Sequence, residues 1–412
     1  MNFSLWIAKR IQLTPNGKKQ RSPGVTIAIA GISVSIVVML LTLAVVSGFQ
    51  NQIRNKVIGF DSQITVSKYV QDSLDSPLFA YSDSLSEVIN GALPEGAIVS
   101  EQLSSMCLLK TTDDYVGLEL VADKQIVDDY ISHYIVESSD TVLCDEKAVL
   151  ISSITAKRLN LGVSDKVFAH FFVKGSVKTR RFTVGAIYDT SFGERDKRIA
   201  FCSSEILRSV LDAEENQVMN LEITGCNFSD ISEVSGNLQE SLVQNFYAGN
   251  LDEIYQVNNV LATGAAYFGW LDLLDTNVVV IIILMSLVAA FTLISSLFIL
   301  ILERVRMIGV LKSLGAENGA ISKIFIFLAM KIVGLGLLIG NATGLVLIWL
   351  QSEFHLLPLN PEAYYLSYVP VEFHLSSWAL LNVGAIIVAW FVLILPSMIV
   401  SKISPASTIR YE

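Results

Sequence analysis

Residues able to do catalytic chemistry are sparse in this 412-residue chain. Its histidines, His133, His170, His355 and His374, form no H-E-x-x-H pair that would hold zinc, and no G-x-S-x-G turn exposes a nucleophilic serine. Cys107, Cys144, Cys202 and Cys226 lie 37, 58 and 24 residues apart, unlike the short paired spacings of a zinc site. In an oxidising compartment these four allow two disulfides in any of three connectivities; free buried thiols are the alternative. No G-x-x-x-x-G-K-[ST] phosphate loop occurs, and the nearest stretch, Gly315 to Gly319, lacks the lysine and the following hydroxyl. The chain is therefore expected to hold no catalytic site, cofactor or metal. Any ATP it exploits would be hydrolysed on another chain.

Apolar and basic patterning carries more information. Met307, Val310, Leu311 and Leu314 recur at i, i+3, i+4 and i+7, while Arg304 and Lys312 point elsewhere. Gly315 suits the left-handed residue that ends a helix. The pattern predicts a short amphipathic helix over Glu303–Leu314, lying on a membrane surface or in a partner's groove. Periodicity leaves both open. Gly336, Gly340 and Gly344 recur every four residues and form a small-residue stripe for close helix packing, within the chain or between subunits.

These residues need long apolar helices to position them. The chain is 52% hydrophobic and 17% charged with mean hydropathy +0.53, whereas soluble domains are about a quarter charged. That excludes a purely soluble or disordered chain. Val25–Val46 is uncharged, and its 22 residues would span roughly 33 Å as a helix, enough for a bilayer core of about 30 Å. Four spans follow, at 25–47, 276–302, 324–350 and 375–400. The first exceeds the core of a signal peptide and has a long basic leader, so an uncleaved anchor is expected. Lys331, two turns inside span three, can snorkel to the surface, and Asn341 suits a hydrogen bond to a neighbouring helix.

Charge sets the orientation. The leader, residues 1–24, carries Lys9, Arg10, Lys18, Lys19 and Arg21 without an acid. The 303–323 loop carries Arg304, Arg306, Lys312 and Lys323, and the 401–412 tail adds Lys402 and Arg410. The 351–374 loop has no Lys or Arg and holds Glu353, Glu362 and Glu372. Both termini are expected in the cytoplasm. Residues 48–275 hold 33 of the 39 acidic residues but 17 of the 29 basic ones, a net of −16 against +6 elsewhere. Such acidity argues against nucleic-acid binding. In that block, strands are expected at Ser62–Val70, Ala148–Ser152, Val167–Lys174, Val177–Tyr188 and Ile199–Cys202. A tight hairpin is expected at Gly175-Ser176, a helix through Leu159, and a capped helix at Ser203–Leu211. The expected fold is a membrane protein: four transmembrane α-helices with a large α+β extracytoplasmic domain inserted between helices 1 and 2.

The run E-R-V-R-M-I-G-V-L-K-S-L-G-A from Glu303 to Ala316, followed by the glycine stripe, resembles the signature of FtsX/MacB-type ABC transporter permeases. The stretch from Ala30-Gly31-Ile32 through Val46-Ser47-Gly48-Phe49 to Ile58-Gly59 resembles the lipoprotein-releasing (LolC/LolE-type) branch. So do AVLISSITAKRLNLGVSDKVFAHF, RRFTVGAIYDT and the tail LPSMIVSKISPASTIRYE. The resemblance implies a permease subunit that extracts lipoproteins from the bacterial inner membrane for delivery to the outer membrane. Implied partners are a separate ABC ATPase dimer binding ATP and Mg, a second permease subunit in a homodimer or heterodimer, lipoprotein substrates and a periplasmic lipoprotein carrier. Arg304, Met307, Val310, Leu311, Leu314 and Gly315 would form the helix that couples to the ATPase. A lipid-anchored substrate needs an apolar cavity. The expected lining is Met39, Leu43, Val46 and Phe49 at the end of span one, with Trp270, Leu271 and Leu274, next to Tyr267 and Phe268, before span two. An interfacial aromatic belt with ordinary packing is the alternative. Only 24 residues precede span one, against the fused ATPase of MacB-type efflux proteins, and the domain is larger than in FtsX-like mechanotransmission modules. One departure concerns the carrier: where the family has a proline-containing hook, this chain has only Val173–Lys178.

Overall fold

The computed structural model describes residues 23–71, 76–112, 114–139, 146–173 and 175–393. They divide into a membrane unit (23–50, 271–357 and 369–393) and a sheet domain (51–270 and 358–368). The leader, the end of the fourth expected span and the tail lie outside the described residues.

The membrane unit is built on helices α1 (Pro23–Asp61), α2 (Ala265–Glu303), α3 (Val305–Ser313), α4 (Asn318–Phe354) and α5 (Leu375–Val392). All but α3 are long and apolar enough to cross a membrane. Pro23 begins α1, where a proline costs no hydrogen bond and pre-sets the helical φ. Both α1 and α2 outrun their expected apolar stretches, because loss of apolarity does not end a helix. Ser62, in the left-handed region at φ 51°, follows the end of α1. The next strand accordingly starts at Ile64 rather than at Ser62.

Helix α1 packs on both α2 and α4. A Cβ placed on Gly340 would lie 2.9 Å from the Ser33 carbonyl oxygen and 2.9 Å from Ile36 Cβ. Gly336 meets Ile32 in the same way, and Gly344 meets Leu40. The stripe thus faces α1 of the same chain, and the Ser33 hydroxyl donates across the contact to the Gly336 carbonyl at 3.0 Å. On the α2 side, Ser296 Oγ donates to the Gly24 carbonyl at 3.0 Å. Ile32, Ile36, Leu293, Leu297, Leu328 and Ile332 fill the shared core.

Helices α4 and α5 are joined by amides. Asn341 Nδ2 donates to Asn382 Oδ1 at 2.6 Å, and Trp378 Nε1 donates to Asn341 Oδ1 at 2.7 Å. Water cannot compete for these groups inside a bilayer, so the trio fixes one helix against the other.

Among the described residues the sheet domain has twelve strands: β1 (Ile64–Lys68), β2 (Phe79–Ala80), β3 (Ile98–Lys110), β4 (Tyr115–Ala122), β5 (Ile135–Ser138), β6 (Ala148–Ser152), β7 (Lys166–Val173), β8 (Ser176–Tyr188), β9 (Ile199–Cys202), β10 (Gln217–Val218), β11 (Asn220–Thr224) and β12 (Tyr255–Asn259). Ten of these form one sheet in the order β12-β1-β11-β3-β4-β9-β6-β8-β5, with β7 pairing β3 and β8. Strand β6, AVLIS, is buried at every residue, as a continuous apolar run should be between two neighbours. Ser152 then caps the helix Ser153–Leu159, accepting from Thr155 N, and Asn160 ends that helix in the left-handed conformation. The β7–β8 hairpin closes one residue earlier than expected: Val173 pairs with Ser176, and Gly175 takes φ +74°. Helix Ser204–Leu211 forms as expected, but Ser203 does not cap it; its hydroxyl donates to Glu205 instead.

Replacing Gly340 with alanine is expected to cost about 1–3 kcal/mol through overpacking against α1. Gly334, with nothing within 4 Å of its added Cβ, is the control. Thermal unfolding in detergent should separate the two variants; equal melting temperatures would refute the α1–α4 contact.

Candidate functional site

Helix α3 begins after Arg304 and ends at Leu314, with Gly315 at φ +88°. The four apolar positions read from periodicity do not share one environment. Met307 and Leu311 are partly buried against the spans of the same chain, and Ile308, which the periodic reading passed over, is fully buried there. Val310 and Leu314 are exposed at 53% and 78%. With Arg306 and Ser313, also exposed, they fall at i, i+4, i+7 and i+8 and make one outward face. Arg304 and Lys312 are half-buried. The outward face is apolar at its C-terminal end and basic at Arg306, a combination suited to an apolar groove with an acidic rim. The signal for the inward side was present in Ile308 and Leu311, three residues apart.

The seven residues expected to line a cavity are dispersed. Met39 is buried in the helix core, where it borders a crevice of about 40 Å³ with Ser286, Ala289 and Ala385. That volume admits a few waters, not an acyl chain. Leu43, midway along α1, borders a second crevice with His374 and Trp378. Phe49 and Leu271 are buried, while Val46, Leu274 and Trp270 are half-buried. Neither crevice gathers them.

The sheet domain offers a different surface. One face of the β3–β7–β8 ladder is core, formed by Leu109, Ala169, Phe171 and Phe182. The other breaks the usual alternation, since Met106, Phe172 and Val177 are 68%, 68% and 59% exposed. Phe172 pairs directly with Val177, and Cys107 opposite Phe171 puts Met106 in line with Phe172. Along the same face Phe168 lies between Lys110 and Arg181. The result is an apolar patch flanked by cations on an acidic domain.

Among the described residues no group of His, Cys, Asp or Glu has the makings of a metal site. Cys107, Cys202 and Cys226 are free thiols, and burial pushes Cys107 up to about 12. Cys144 lies outside the described residues.

Residues 279–405 match the family model "FtsX-like permease C-terminal". That stretch covers most of α2, all of α3 and α4, and α5. Along nearly its whole length the chain is similar to proteins named lipoprotein-releasing system transmembrane protein LolC. Identity is 22% over 402 residues for that of Xylella fastidiosa, covering 93% of each chain, and 22% over 408 residues for that of Neisseria meningitidis serogroup B, covering 94% of each. LolE of Haemophilus influenzae is 20% identical over 99% of each chain.

Residues 279–405 are thus similar to the C-terminal part of FtsX-like permeases.

Two solved structures also resemble part of this chain. The extracellular domain of the noncanonic ABC-type transporter YknZ is 15% identical, with TM-score 0.32, over 48% of this chain and all of its own. The periplasmic region of MacB from Actinobacillus actinomycetemcomitans is 13% identical, with TM-score 0.31, over 52% of this chain and 97% of its own.

Among the carboxylates of the sheet domain that leave their ordinary range, Glu222 moves to about 8. Glu222, on β11, is 4% exposed and accepts from Thr65 Oγ1 at 2.7 Å. Burial pushes its carboxyl from 4.5 up to about 8; the Thr65 hydrogen bond opposes this, and the nearby charges of Asp123 and Asp61 add to it. A raised carboxyl keeps its proton in the folded protein at pH values where the unfolded chain has lost it. Its stabilisation is full below 4.5 and is lost as pH climbs through 8. Glu222→Gln should therefore melt higher than the parent at pH 9, by a margin that shrinks or reverses at pH 5. Melting curves of the full chain at the two pH values provide the check, and a margin independent of pH would refute the buried neutral carboxyl.

Proposed function

We propose that this permease is the transmembrane subunit of an ATP-driven ABC transporter that releases lipoproteins from the bacterial inner membrane for delivery to the outer membrane. The observation that carries the reading is end-to-end similarity to lipoprotein-releasing proteins, which extends through the sheet domain as well as the spans. ATP and Mg bind a separate ATPase dimer, and a second permease subunit, identical or related, completes the membrane part. Both termini and α3 face the cytoplasm, and the sheet domain faces the other side, following the placement of Lys and Arg.

Geometry supplies the working parts. The outward face of α3, with Arg306, Val310, Ser313 and Leu314, docks in a groove of the ATPase. Met307, Ile308 and Leu311 anchor the helix to the spans, so a push on it is delivered to α2 and α4. The substrate cavity lies between two permease subunits, since the crevice bordered by Met39 in one chain is too small for acyl chains. Residues Leu43, Val46 and Leu274 remain its candidate lining. Burying each methylene of an acyl chain contributes about 0.8 kcal/mol, so extraction must be driven. The β7–β8 hairpin is too short to carry a recruiting hook as it stands, and the patch of Met106, Phe172 and Val177 beside it is the surface offered to a carrier.

Reconstitution of the permease with its ATPase and a triacylated lipoprotein tests the reading. ATP-dependent release is expected. ATPase activity unaffected by any lipoprotein would instead favour a non-transporting module that regulates an extracytoplasmic partner. In the same assay Val310→Asp with Leu314→Asp should abolish ATPase capture and release while leaving insertion intact. The docking face is wrong if capture persists. A reporter fused after Gly236 should be active only outside the cytoplasm, and cytoplasmic activity would reverse the orientation.

A further inference from the structure

Within the sheet domain, segments contiguous with the span helices meet at a single ring. Phe192, 1% exposed, lies in the loop after β8. Its ring centroid is 5.8 Å from Phe60 in the last turn of α1, 5.5 Å from Tyr267 in the first turn of α2 and 5.3 Å from Tyr365 in the connector between α4 and α5. Tyr267 and Tyr365 are themselves 5.7 Å apart. Chain segments belonging to every span helix, or to the link between two of them, therefore touch one loop of the sheet domain.

Polar contacts lock the same joint. Lys56 of α1 is 5% exposed, and its ammonium donates to the Thr190 carbonyl at 2.5 Å and to the Tyr365 carbonyl at 2.8 Å. Asp196 and Asp189 are the charges that face it; Asp196 is held by Thr190 Oγ1 at 2.6 Å and by Phe192 N, and Asp189 by Ser153 Oγ and Ser191 N. Asp61, at the end of α1, pairs with Arg195. Ser191 Oγ lies 3.0 Å from Ser367 Oγ. An apolar side chain of similar length would fill the site of Lys56 without the penalty of burying a charge. What it would not do is bond two carbonyls on two separate loops at once, which needs a group with several donors.

We infer that Lys56 is a positioning residue for transport: it pins the end of α1 to the Thr190 loop and to the α4–α5 connector, so that motion of the span helices is passed to the sheet domain as a unit. The inference rests on the reading of the chain as an ATP-driven permease. Its function is transmission and not binding, and it differs from the docking role of α3.

The test uses the full-length permease with its ATPase, labelled with a donor dye at Asn90 and an acceptor at Ser376. ATP should change the dye separation in the parent. In Lys56→Met that change should shrink to roughly a tenth, the shift in population expected when two hydrogen bonds are lost. Adding Ser191→Cys and Ser367→Cys supplies a second pin at the same joint. Oxidation with diamide removes two thiol hydrogens and two electrons to form one disulfide, and should restore the ATP-driven change in the Lys56→Met background. The rescue also separates loss of transmission from general damage, because it is redox-dependent within one sample. Full ATP-driven motion in Lys56→Met, or no recovery on oxidation, would overturn the inference alone. Absence of any ATP-driven change in the parent would overturn the permease reading and this inference with it.

Discussion

The closeness of α1 to α4 is the constraint on which the membrane unit depends. Lipid tails are as apolar as leucine, so the hydrophobic effect gives two span helices no reason to associate. What remains is contact at short range, and Gly336, Gly340 and Gly344 of α4 provide it by removing every side-chain atom that would hold Ile32, Ser33, Ile36 and Leu40 away. The Ser33–Gly336 hydrogen bond fixes the register of that contact. With α1 held, α2 packs on its other side and α3 acquires a base into which Ile308 can sink. Helix α5 depends on less apolar contact and more on the Asn341–Asn382–Trp378 amides.

Much of this was legible in the residues because a bilayer makes blunt demands. A run such as Val25–Val46 has few fates other than a span, and AVLIS few other than a central strand. The amide of Asn341 had to find a partner, and it did. The extent of the helices was not legible in the same way. Apolarity reports where lipid is, whereas the end of α1 is reported by the backbone of Ser62, whose residue type does not announce a left-handed conformation. The faces of α3 were only half legible for a related reason. Periodicity finds an apolar side but not which neighbour covers it, and the spans of the same chain claim Met307 and Leu311 while leaving Val310 and Leu314 outside.

The cavity residues show the limit more sharply. Apolarity and position near the membrane surface marked Met39, Leu43, Val46, Phe49, Trp270, Leu271 and Leu274, and those criteria do not distinguish a residue that lines a space from one that fills it. Leu271 is buried, and Met39, equally buried, borders only a crevice of about 40 Å³. Conversely, Lys56, Glu222 and the Phe192 ring cluster carried no signal, because their neighbours lie far away in sequence: 134 residues separate Lys56 from Thr190 and 309 from Tyr365. A lone lysine after an apolar helix reads as a solvated end, and only the fold turns it into a buried crosslink.

The β7–β8 hairpin has a consequence for how proteins of this shape diversify. Its strands are fixed along their whole length by pairing from Lys166–Thr183 to Val173–Ser176, and β7 is tied to β3 as well. Among the described residues its tip holds the turn at Gly175 and the Ser176 hydroxyl, which donates to the Val173 carbonyl at 2.9 Å. Lengthening such a tip costs only about 0.6 kcal/mol for each doubling of the loop. A recruiting arm can therefore be gained or lost there by insertion or deletion with no change to the registers beneath it. The tip is a place where a lineage can change what the sheet domain meets while the strands beneath stay as they are.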